Sequence, residues 1–524
     1  MEKFLPVGIS EFEKFTKGNF IYVDKTQYIY EMVKIPQAFY FLSRPRRFGK
    51  TLLVSTLQML FEGKKDLFDG LWIEKSDWKW EYHPVMIIDF SQISLDTPEN
   101  LKLGINNMLD KIAKNFSLPL EQQLLKEKFV ELITNLGKKF DNNVVILVDE
   151  YDKPIIEHLG KGDDHLEIAK ANRDILKQFF GVLKGIDVSA ALRMVFITGI
   201  SKFSRVSIFS DLNNLNDLTM QDSYSALLGY TDEELHQYFG GFVKSVADTI
   251  GVDKSEIYEK IHKWYHGYRF SDIDIRVYNP FSVLNLLVNK KFKNYWFETA
   301  TPSFLVNLIK EKKYPIPDME KLELSELRFS SYDLDRLSLE PLLLQTGYLT
   351  IQDARENIYT LNYPNQEVKV SFLSYLYDQI VETPSTAIKE QFTRLHEYLN
   401  QNEMNRFIDT VNNILSSIPY QHIYDQDEHY YHTVFYLMLS ASGAQVHTEV
   451  LTSLGRIDLE VYFENKIYII ELKCNQPADK AIEQIKQKKY FEKHTSSGKK
   501  ILLMGINFDT EQRRIVDRKS ESIF

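Results

Sequence analysis

The chain contains one cysteine, Cys474, among its 524 residues. A single thiol excludes a disulfide framework and a cysteine-ligated zinc site. No stretch approaches the roughly 18 uninterrupted apolar residues of a membrane-spanning helix. The N-terminal sequence MEKFLPVGISEFEKF also lacks a basic segment followed by an apolar run. We therefore expect a cytoplasmic protein with no membrane partner.

Several catalytic patterns are also missing. The 12 histidines form no H-E-x-x-H pair, and the sequence has no G-x-S-x-G, no internal repeat and no low-complexity tract. A hydrophobic content of 44% and a charged content of 26% are ordinary for a globular protein with several domains. The formal net charge of -10 excludes a polycation that coats nucleic acid. Any contact with nucleic acid would come from a local patch.

The segment FLSRPRRFGKTLL, residues 41–53, ends like a phosphate-binding loop but lacks its first glycine. Gly49, Lys50 and Thr51 fit the end of G-x-x-x-x-G-K-[ST], whereas Arg44 occupies the position of the first glycine. The apolar run before the loop predicts a strand, and the leucine spacing after it predicts a helix. In that arrangement Lys50 would reach the phosphates and Thr51 would bind Mg²⁺. The alternative is a basic turn that caps a helix.

A buried strand ending in two acids follows in NNVVILVDEYDKP. Val144–Val148 are apolar, and Asp149 and Glu150 come next. In a Walker B motif Asp149 would hold the hydrated Mg²⁺, and Glu150 would orient the attacking water. The alternative is a core strand that ends in solvated acids.

Two further strands are predicted for the same sheet. HPVMIIDFSQIS contains an apolar run, Val85–Phe90, and RMVFITGISKFSRV contains another, Met194–Ile197, followed by Thr198. Thr198 is a candidate sensor of the γ-phosphate. Arg205 could add positive charge in the transition state, or it could be a surface residue.

These segments resemble the AAA-ATPase-like family, whose members carry a C-terminal PD-(D/E)XK nuclease-like domain. LPVGISEFEKF, RPRRFGKT, VVILVDEYDKPI and FITGISKFSRVSIFSDLNNLNDLT carry the resemblance. The family's loop typically reads RPRRFGKT, so the missing glycine is typical of it. The resemblance implies ATP binding with Mg²⁺. The predicted nucleotide-binding residues are Arg44, Arg46, Arg47, Phe48, Gly49, Lys50, Thr51, Leu52, Asp149, Thr198 and Arg205.

We predict an α/β protein with three parts. Residues 1–222 form an AAA-like P-loop ATPase domain with a parallel sheet, and residues 369–524 form a PD-(D/E)XK nuclease-like α/β domain. Residues 223–368 form a helical lid or linker. A capping box at Thr231 and Glu234 begins one of its helices, and two strands around a polar turn in GYLTIQDARENIYTLNY resemble a winged-helix hairpin. The aromatic segments WYHGYRF and YNPFS are interpreted as packing between helices.

The C-terminal segment GRIDLEVYFENKIYIIELKCN predicts two strands with period-two alternation. Glu471 and Lys473 share a face of the second strand. If Phe463 pairs with Lys466 across the turn, Asp458 lies near Glu471, whereas a slip of one residue separates their faces. Two carboxylates can bind Mg²⁺, with Mn²⁺ as the alternative.

The pattern Asp...Glu-x-Lys resembles the phosphodiester-cleaving site of PD-(D/E)XK nucleases, in which Lys473 would position water or stabilise charge at phosphorus. The resemblance also implies that Glu449 is an additional metal-binding acid and that Gln484, in AIEQIKQKKY, faces the site. The predicted catalytic residues are Glu150, Asp458, Glu471, Lys473 and Gln484, and the predicted metal ligands are Thr51, Asp149, Glu449, Asp458 and Glu471.

Residues 480–500 contain seven lysines against two acids, which suits recognition of a DNA or RNA backbone, although a solvated helix face is an alternative. Three functions stay open. The chain could be a nucleotide-binding switch fused to a Mg²⁺-dependent nuclease. It could be a nucleic-acid-binding NTPase whose second domain does not cut, or an interaction protein with two relic sites. A homo-oligomer is also open, with Arg205 acting within or between subunits.

Overall fold

The computed structural model describes residues 3–202, 208–209, 212, 214–298, 303–312, 314, 316–320, 322–325, 334, 337–381, 386–418, 428–452 and 455–523. The side chains at 303, 318, 380–381, 386–389, 428–429, 449–452 and 455 fall outside that description. The chain forms two compact units: Met1–Leu308 with Glu323–Asn365, and Ile309–Leu322 with Gln366–Phe524. The predicted middle region, 223–368, thus groups with the first unit except for Ile309–Leu322 and residues 366–368. The three-part division stays a prediction.

A parallel five-stranded sheet lies in the first unit, in the order β2-β3-β4-β1-β5. Its strands are β1 (Ala38–Ser43), β2 (Val85–Asp89), β3 (Val144–Asp149), β4 (Leu192–Gly199) and β5 (Leu215–Asp217). Every residue of β3 is buried, as expected for the apolar runs of a parallel sheet covered on both faces. The strands predicted from the sequence are confirmed. Because the strands run parallel, the C-terminal ends of β1, β2 and β3 lie at one edge of the sheet.

Helices that surround this sheet have one apolar face each. They are α1 (Phe12–Lys17), α2 (Thr26–Val33), α3 (Lys50–Phe61), α4 (Pro98–Asn115), α5 (Leu125–Lys139), α6 (Lys153–Ile156), α7 (Asp163–Phe180) and α8 (Ile186–Ala191). α3 begins immediately after the phosphate loop and buries Leu53, Val54 and Leu57. Its buried stripe fixes the position of the first turn, where an anion would bind.

The remainder of the first unit is largely helical. It contains α9 (Asp232–Ile250), α10 (Lys254–Tyr265), the short strands β6 (Tyr268–Arg269) and β7 (Arg276–Val277), α11 (Pro280–Asn289), α12 (Tyr295–Glu298), α13 (Ser303–Glu311), β8 (Leu322–Ser325), α14 (Leu339–Thr346), β9 (Thr350–Arg355) and β10 (Ile358–Asn362). Residues 309–311 of α13 and Leu322 of β8 belong to the second unit. Thr231 and Glu234 form the predicted capping box of α9. β9 and β10 form the predicted antiparallel pair.

The second unit combines helices with a mixed five-stranded sheet, in the order β11-β12-β13-β14-β15. Its elements are α15 (Gln366–Val381), α16 (Thr386–Gln401), α17 (Met404–Ser416), α18 (Glu428–Ala441), β11 (Gln445–Thr452), β12 (Gly455–Tyr462), β13 (Lys466–Cys474), α19 (Ala478–Gln487), β14 (Lys500–Asp509) and β15 (Arg514–Ile523). β13 and β14 are parallel and are joined through α19, while the other neighbours are antiparallel. This βαβ connection places α19 against the sheet at β13 and β14.

Within the described ranges, none of the helices is both long enough and apolar enough to cross a bilayer.

Candidate functional sites

The segment between β1 and α3 forms a tight turn at the N-terminus of α3. Arg47 and Gly49 have left-handed backbones, with φ of 67° and 98°, a conformation that glycine adopts easily and a larger residue adopts when its surroundings hold it there. Lys50 is buried, and its Nζ donates to the carbonyl oxygens of Arg44 and Pro45 at 3.1 and 3.2 Å. A phosphate that displaced these carbonyls would meet the ammonium and the first N–H groups of α3.

Aromatic side chains from beyond the sheet hold this loop. The Phe48 ring packs edge-on against Tyr268 and Phe270, with centroids 4.8 and 5.4 Å apart. The indole Nε1 of Trp296 donates to the carbonyl oxygen of Arg46 at 3.0 Å. The sequence predicted that the WYHGYRF segment packs between helices; Tyr268 and Phe270 instead pack on the phosphate loop. Aromatic packing at Phe48 and one hydrogen bond at Arg46 therefore constrain the backbone of a loop whose first glycine is replaced by Arg44.

Arg44 has a different role from the predicted one. Its side chain is buried, and its guanidinium donates to the carbonyl oxygens of Ser43 (2.9 Å), Thr219 (2.8 Å) and Tyr224 (3.1 Å). It also stacks on the Phe270 ring at 4.3 Å. Burial lowers the pKa of Arg44 to about 9, so the group stays charged at neutral pH. The predicted phosphate contact of Arg44 is therefore corrected. Arg44 stands where the motif has a flexible glycine, and its buried guanidinium hydrogen-bonds the loop to the carbonyl oxygens of residues 219 and 224.

The predicted sensor, Thr198, is also absent from the lining of the cavity at the phosphate loop. It is buried at the end of β4, and its hydroxyl donates to the carbonyl oxygen of Leu42 at 2.7 Å. Parallel pairing of β1 with β4 sets Leu42 beside Thr198 and turns the hydroxyl into the sheet. Lys202, just beyond β4, forms an ion pair with Asp217 at 3.0 Å. Arg205 lies outside the described residues.

Three acids meet at the edge of the sheet that carries the phosphate loop. Asp149 ends β3, and Asp89 ends β2 at the paired position. Burial and the charge of Glu150 raise the pKa of Asp149 to about 6, while Lys50 and the Thr51 hydroxyl act in the opposite direction. Asp149 therefore lies close to the ammonium of Lys50 and the hydroxyl of Thr51. A bound cation would stabilise the ionised form of the buried Asp149 carboxylate.

The phosphate loop and these acids line one cavity of about 780 Å³. Of the predicted residues, the cavity brings together Arg46, Arg47, Phe48, Gly49, Lys50, Thr51, Leu52, Asp149 and Glu150. The lining also includes apolar side chains, among them Ile9, Val23, Leu228 and Phe281. A cavity lined by both charged and apolar residues suits a nucleotide, whose phosphates and base differ in the same way. Thr51 and Asp149 are the oxygen donors that fit Mg²⁺.

Sequence reasoning missed five charged residues of this cavity: Lys25, Asp89, Lys153, Glu157 and Lys161. Lys25 is buried, donates to the carbonyl oxygen of Ala226 at 2.8 Å and forms an ion pair with Glu234 at 2.5 Å. The signal for Asp89 was present, because an apolar run that ends in an acid matches the pattern at Asp149. No local pattern marks Lys25, whose partners lie about two hundred residues away.

The second site lies on the hairpin of β12 and β13. Phe463 N–H donates to the carbonyl oxygen of Lys466 at 2.9 Å, and Leu459 pairs with Ile470 in the same register. The predicted register is therefore confirmed. The next residues outward, Asp458 and Glu471, are neighbours across the hairpin. Asp458 Oδ2 accepts a hydrogen bond from the Leu472 N–H at 2.8 Å, which fixes its carboxylate against the second strand.

Glu471 is the most strongly perturbed acid of this hairpin. It is 1% exposed. Its Oε1 accepts hydrogen bonds from Gln484 Nε2 and from Lys473 Nζ, the latter at 3.3 Å. Its Oε2 is buried with no hydrogen-bond partner among the described residues. Burial and the Asp458 charge raise the pKa of Glu471 to about 8, against the effect of Lys473. A buried carboxylate oxygen without a donor fits a metal ligand, because a cation would compensate its desolvation.

Close packing of α19 brings Gln484 to this carboxylate. Glu471 pairs with Gly505 of β14, and a Cβ at Gly505 would lie 2.4 Å from the carbonyl oxygen of Ala478 and 2.9 Å from Cβ of Ala481. The helix can lie this close to the sheet because position 505 has no side chain. Gln484, six residues after Ala478, then reaches Glu471.

Tyr490 is a residue of this site that sequence reasoning missed. It is buried. Burial raises the pKa of Tyr490, a hydrogen bond with the Gln484 side chain opposes that shift, and the charges of Glu471 and Asp458 add to it. The Tyr490 hydroxyl thus belongs to the network that orients Gln484. Tyr490 directly follows AIEQIKQKK, and its aromatic side chain was the sequence feature that could have pointed to it.

The other acids and histidines near the hairpin have structural partners. Glu460 is buried and contacts Lys493 at 2.7 Å, His494 at 2.9 Å and the Tyr462 hydroxyl at 2.7 Å, so it is not an acid of the Asp458 and Glu471 pair. His432 Nε2 lies 3.2 Å from the carbonyl oxygen of Asp458.

Glu449 can be placed by its backbone alone. It lies in β11 between Thr448 and Val450, which pair with Leu459 and Ile457. Its backbone is therefore level with Asp458, and its side chain is outside the description. Its predicted role as a ligand stays a prediction.

The lysine-rich segment is partly neutralised. Lys486 pairs with Glu521 at 2.5 Å, Lys489 with Glu492 at 3.0 Å, and Lys493 with Glu460 at 2.7 Å. Lys480 and Lys488 are exposed on and after α19. The cationic surface beside the site is thus smaller than the sequence count indicates.

A phosphate loop beside paired acids on a parallel sheet, and an Asp...Glu-x-Lys hairpin on a mixed sheet, define a P-loop ATPase-like protein with a nuclease-like domain. Comparison with known proteins agrees. Residues 6–209 match the family model described as "Predicted AAA-ATPase", and residues 426–518 match the PD-(D/E)XK nuclease superfamily. The chain belongs to the AAA-ATPase-like family, with a C-terminal domain of the PD-(D/E)XK nuclease superfamily, which confirms the resemblance and the fold class.

The chain is also similar along its whole length to a protein of Azotobacter chroococcum mcd 1. That protein is described as "Uncharacterized protein in vnfD 5'region", and the two are 36% identical over 533 residues, covering 99% of each chain. The similarity therefore spans both domains of this chain.

Proposed function

We propose that the chain is an ATP-binding protein whose C-terminal domain is a Mg²⁺-dependent nuclease, with nucleotide state controlling cleavage. The observation that carries the nuclease proposal is the buried Glu471 carboxylate: Lys473 and Gln484 donate to one oxygen, and the other is without a donor among the described residues. A buried acid of this kind is costly for stability alone. A role in cation binding accounts for it.

The residues would divide the nuclease chemistry as follows. Asp458, Glu471 and Glu449 would hold Mg²⁺ or Mn²⁺, and the bound cation would supply Lewis-acid activation of the phosphodiester. Lys473, whose Nζ lies 3.3 Å from Glu471 Oε1, would hold the attacking water or stabilise charge on the phosphoryl oxygens. Gln484 would keep Glu471 in position. DNA or RNA would be recognised through the backbone, because no feature of this hairpin reads bases.

The nucleotide site supports ATP binding in a similar way. Lys50 would exchange the carbonyls of Arg44 and Pro45 for the β- and γ-phosphates, and Arg46 and Arg47 would add positive charge at the mouth of the cavity. Glu150, which lines the same cavity, would polarise the attacking water. The coupling of the two domains is proposed because the similarity to one relative spans both of them.

A cleavage panel tests the nuclease proposal. Purified wild-type chain is incubated with single- and double-stranded DNA and RNA, in Mg²⁺ or Mn²⁺, with and without ATP. Asp458→Asn removes one charge from the site, and Glu464→Gln removes one from an exposed acid at the turn of the same hairpin. We expect cleavage by wild type and Glu464→Gln and none by Asp458→Asn. Absence of cleavage on every substrate would leave a binding protein that does not cut, and equal cleavage by Asp458→Asn would show that the activity does not come from this hairpin.

ATP turnover is tested separately. Glu150→Gln should keep ATP affinity near the wild-type value and lower the hydrolysis rate by about 10²-fold or more, as loss of a water-polarising group does. Unchanged hydrolysis in Glu150→Gln would remove that residue from the reaction.

A further inference from the structure

A group of potential metal ligands lies outside the nucleotide cavity, where α9 and α10 meet. Asp232, His262 and His266 each offer one ligand atom, and these atoms lie within 4.8 Å of one another. Two imidazole nitrogens with one carboxylate oxygen are a donor set for Zn²⁺ and similar transition metals. Mg²⁺, by contrast, prefers oxygen ligands throughout.

The helices place these side chains together for a simple geometric reason. His262 is in the last turn of α10, and His266 follows its end four residues later, so the two share one face. Their rings are 4.2 Å apart between centroids. Asp232 is the first residue of α9, directly after the N-cap Thr231. The C-terminal end of one helix thus meets the N-terminal end of the other.

Neighbouring groups orient the ligands. The Tyr278 hydroxyl donates to Asp232 Oδ1 at 2.6 Å, which leaves Oδ2 facing the histidines. His266 Nε2 lies 3.8 Å from that Oδ2 and 3.2 Å from the carbonyl oxygen of Arg276. A zinc ion about 2.0–2.2 Å from each ligand would bridge a separation of roughly 3.3–4 Å. Hydrogen bonds to bound ligands, of the kind that Tyr278 makes, tune metal sites in general.

We propose that Asp232, His262 and His266 bind one transition-metal ion of the Zn²⁺ class. Asp232 and His262 are exposed and His266 is buried, so two side chains can close on the ion by rotation while the third is fixed by packing. The fourth position is left for water or for the Arg276 carbonyl oxygen. The site is independent of the nuclease and ATPase proposals.

Such an ion would stabilise the structure next to one part of the nucleotide cavity. Tyr278 and Tyr230 exchange backbone hydrogen bonds at 2.7 and 3.2 Å, and Tyr230 lines the cavity. Asp232 is two residues from Tyr230. The proposed ion therefore has a structural role at the junction of α9, α10 and β7.

The test uses Co²⁺ as a spectroscopic probe for the Zn²⁺ site. The full chain, without a polyhistidine tag, is stripped with a chelator and kept in excess Mg²⁺, which occupies oxygen-ligand sites. Co²⁺ is titrated while the visible ligand-field absorption is recorded, and Zn²⁺ is then added as competitor. The variants are His262→Ala and, as control, His236→Ala, an exposed histidine on α9 that stacks on Tyr258 at 3.9 Å.

We expect one equivalent of Co²⁺, displaced by Zn²⁺, in wild type and His236→Ala. Affinity in His262→Ala should fall by more than the roughly 10- to 100-fold that loss of a partner hydrogen-bonded to a ligand costs, because His262 is itself a proposed ligand. Binding in His262→Ala equal to wild type, or no saturable binding in wild type, overturns the proposal. Because His262 is exposed, the variant should fold; if its melting curve differs from wild type in chelator, Asp232→Asn gives the same comparison.

Discussion

The N–H of Phe463 donates to the carbonyl oxygen of Lys466 at 2.9 Å, and this contact sets the register of the whole β12–β13 hairpin. It leaves Asp458 and Glu471 as neighbours across the two strands, as Leu459 pairs with Ile470. A slip of one residue would turn one of these acids to the other face. The chemistry proposed for the C-terminal domain depends on this register.

The first prediction concerns pH. Burial and Asp458 raise the pKa of Glu471 from 4.5 to about 8. Between these values the folded chain keeps a proton on Glu471 that the unfolded chain has released, so the metal-free protein should lose stability as pH rises from about 5 to 8. In urea unfolding with chelator, Glu471→Gln should gain on the order of 2–4 kcal/mol relative to wild type across this window, since its side chain cannot ionise.

Glu464→Gln is the control for that series. It removes an exposed acid from the turn of the same hairpin, and the difference between its free energy of unfolding and that of wild type should not change with pH. A flat difference curve for Glu471→Gln as well would show that Glu471 ionises normally in the folded protein.

The second prediction concerns the contact of α19 with the sheet. Gly505→Ala puts a Cβ 2.4 Å from the carbonyl oxygen of Ala478, so the helix must move outward. We expect a loss of about 1–3 kcal/mol in the free energy of unfolding, as for other overpacked sites, together with reduced cleavage because Gln484 moves away from Glu471. Chemical unfolding and the cleavage assay measure the two effects.

Gly241→Ala is the matched control, because a Cβ there meets nothing within 4 Å and alanine favours the helix by about 0.5–1 kcal/mol. If Gly505→Ala were as stable as wild type, α19 would have to lie farther from β14 than described.

The third prediction separates two arginines of the phosphate loop. Arg44→Ala leaves the buried carbonyl oxygens of Ser43, Thr219 and Tyr224 without their donor and should cost about 2–4 kcal/mol of stability. Arg46 is exposed at the cavity, so Arg46→Ala should change stability by less than about 0.5 kcal/mol and weaken ATP binding by about 5- to 10-fold.

Thermal melts and ATP titrations of both variants measure this contrast. The opposite result, a stable Arg44→Ala with weak ATP binding, would restore the original prediction that Arg44 contacts phosphate.

The fourth prediction concerns Lys50. At ATP concentrations about 100 times the dissociation constant, ligand binding should add about 2.7 kcal/mol to the stability of wild type. Lys50→Ala removes the ammonium at the loop and should lose most of this stabilisation. Lys64→Ala, an exposed residue just beyond α3, should keep it. An identical ATP-dependent shift in all three proteins would indicate that ATP binds elsewhere or not at all.

Much of the fold and of the two candidate sites could be predicted from the sequence because the motifs are local. β1, Lys50 and Thr51 follow one another in the chain, and the alternation around Glu471 determines which residues share a face. Long-range packing was not readable in the same way. The loop motif does not say which way the Arg44 side chain points; the carbonyls of Thr219 and Tyr224 decide that.

Thr198 illustrates the same limit. Its place at the end of β4 was predicted, but the pairing of that strand with Leu42 of β1 turns its hydroxyl into the sheet. Lys25 was missed because its partners, Ala226 and Glu234, are far away in the sequence.

The proposal that nucleotide state controls cleavage is tested most directly by the rate of cleavage of one fluorescent nucleic-acid substrate in Mg²⁺, measured with and without ATP. The account predicts that ATP changes the rate in wild type, that Lys50→Ala cleaves at a rate independent of ATP, and that Asp458→Asn does not cleave in either condition. Cleavage that persists in Asp458→Asn, or an ATP effect that persists in Lys50→Ala, would contradict it.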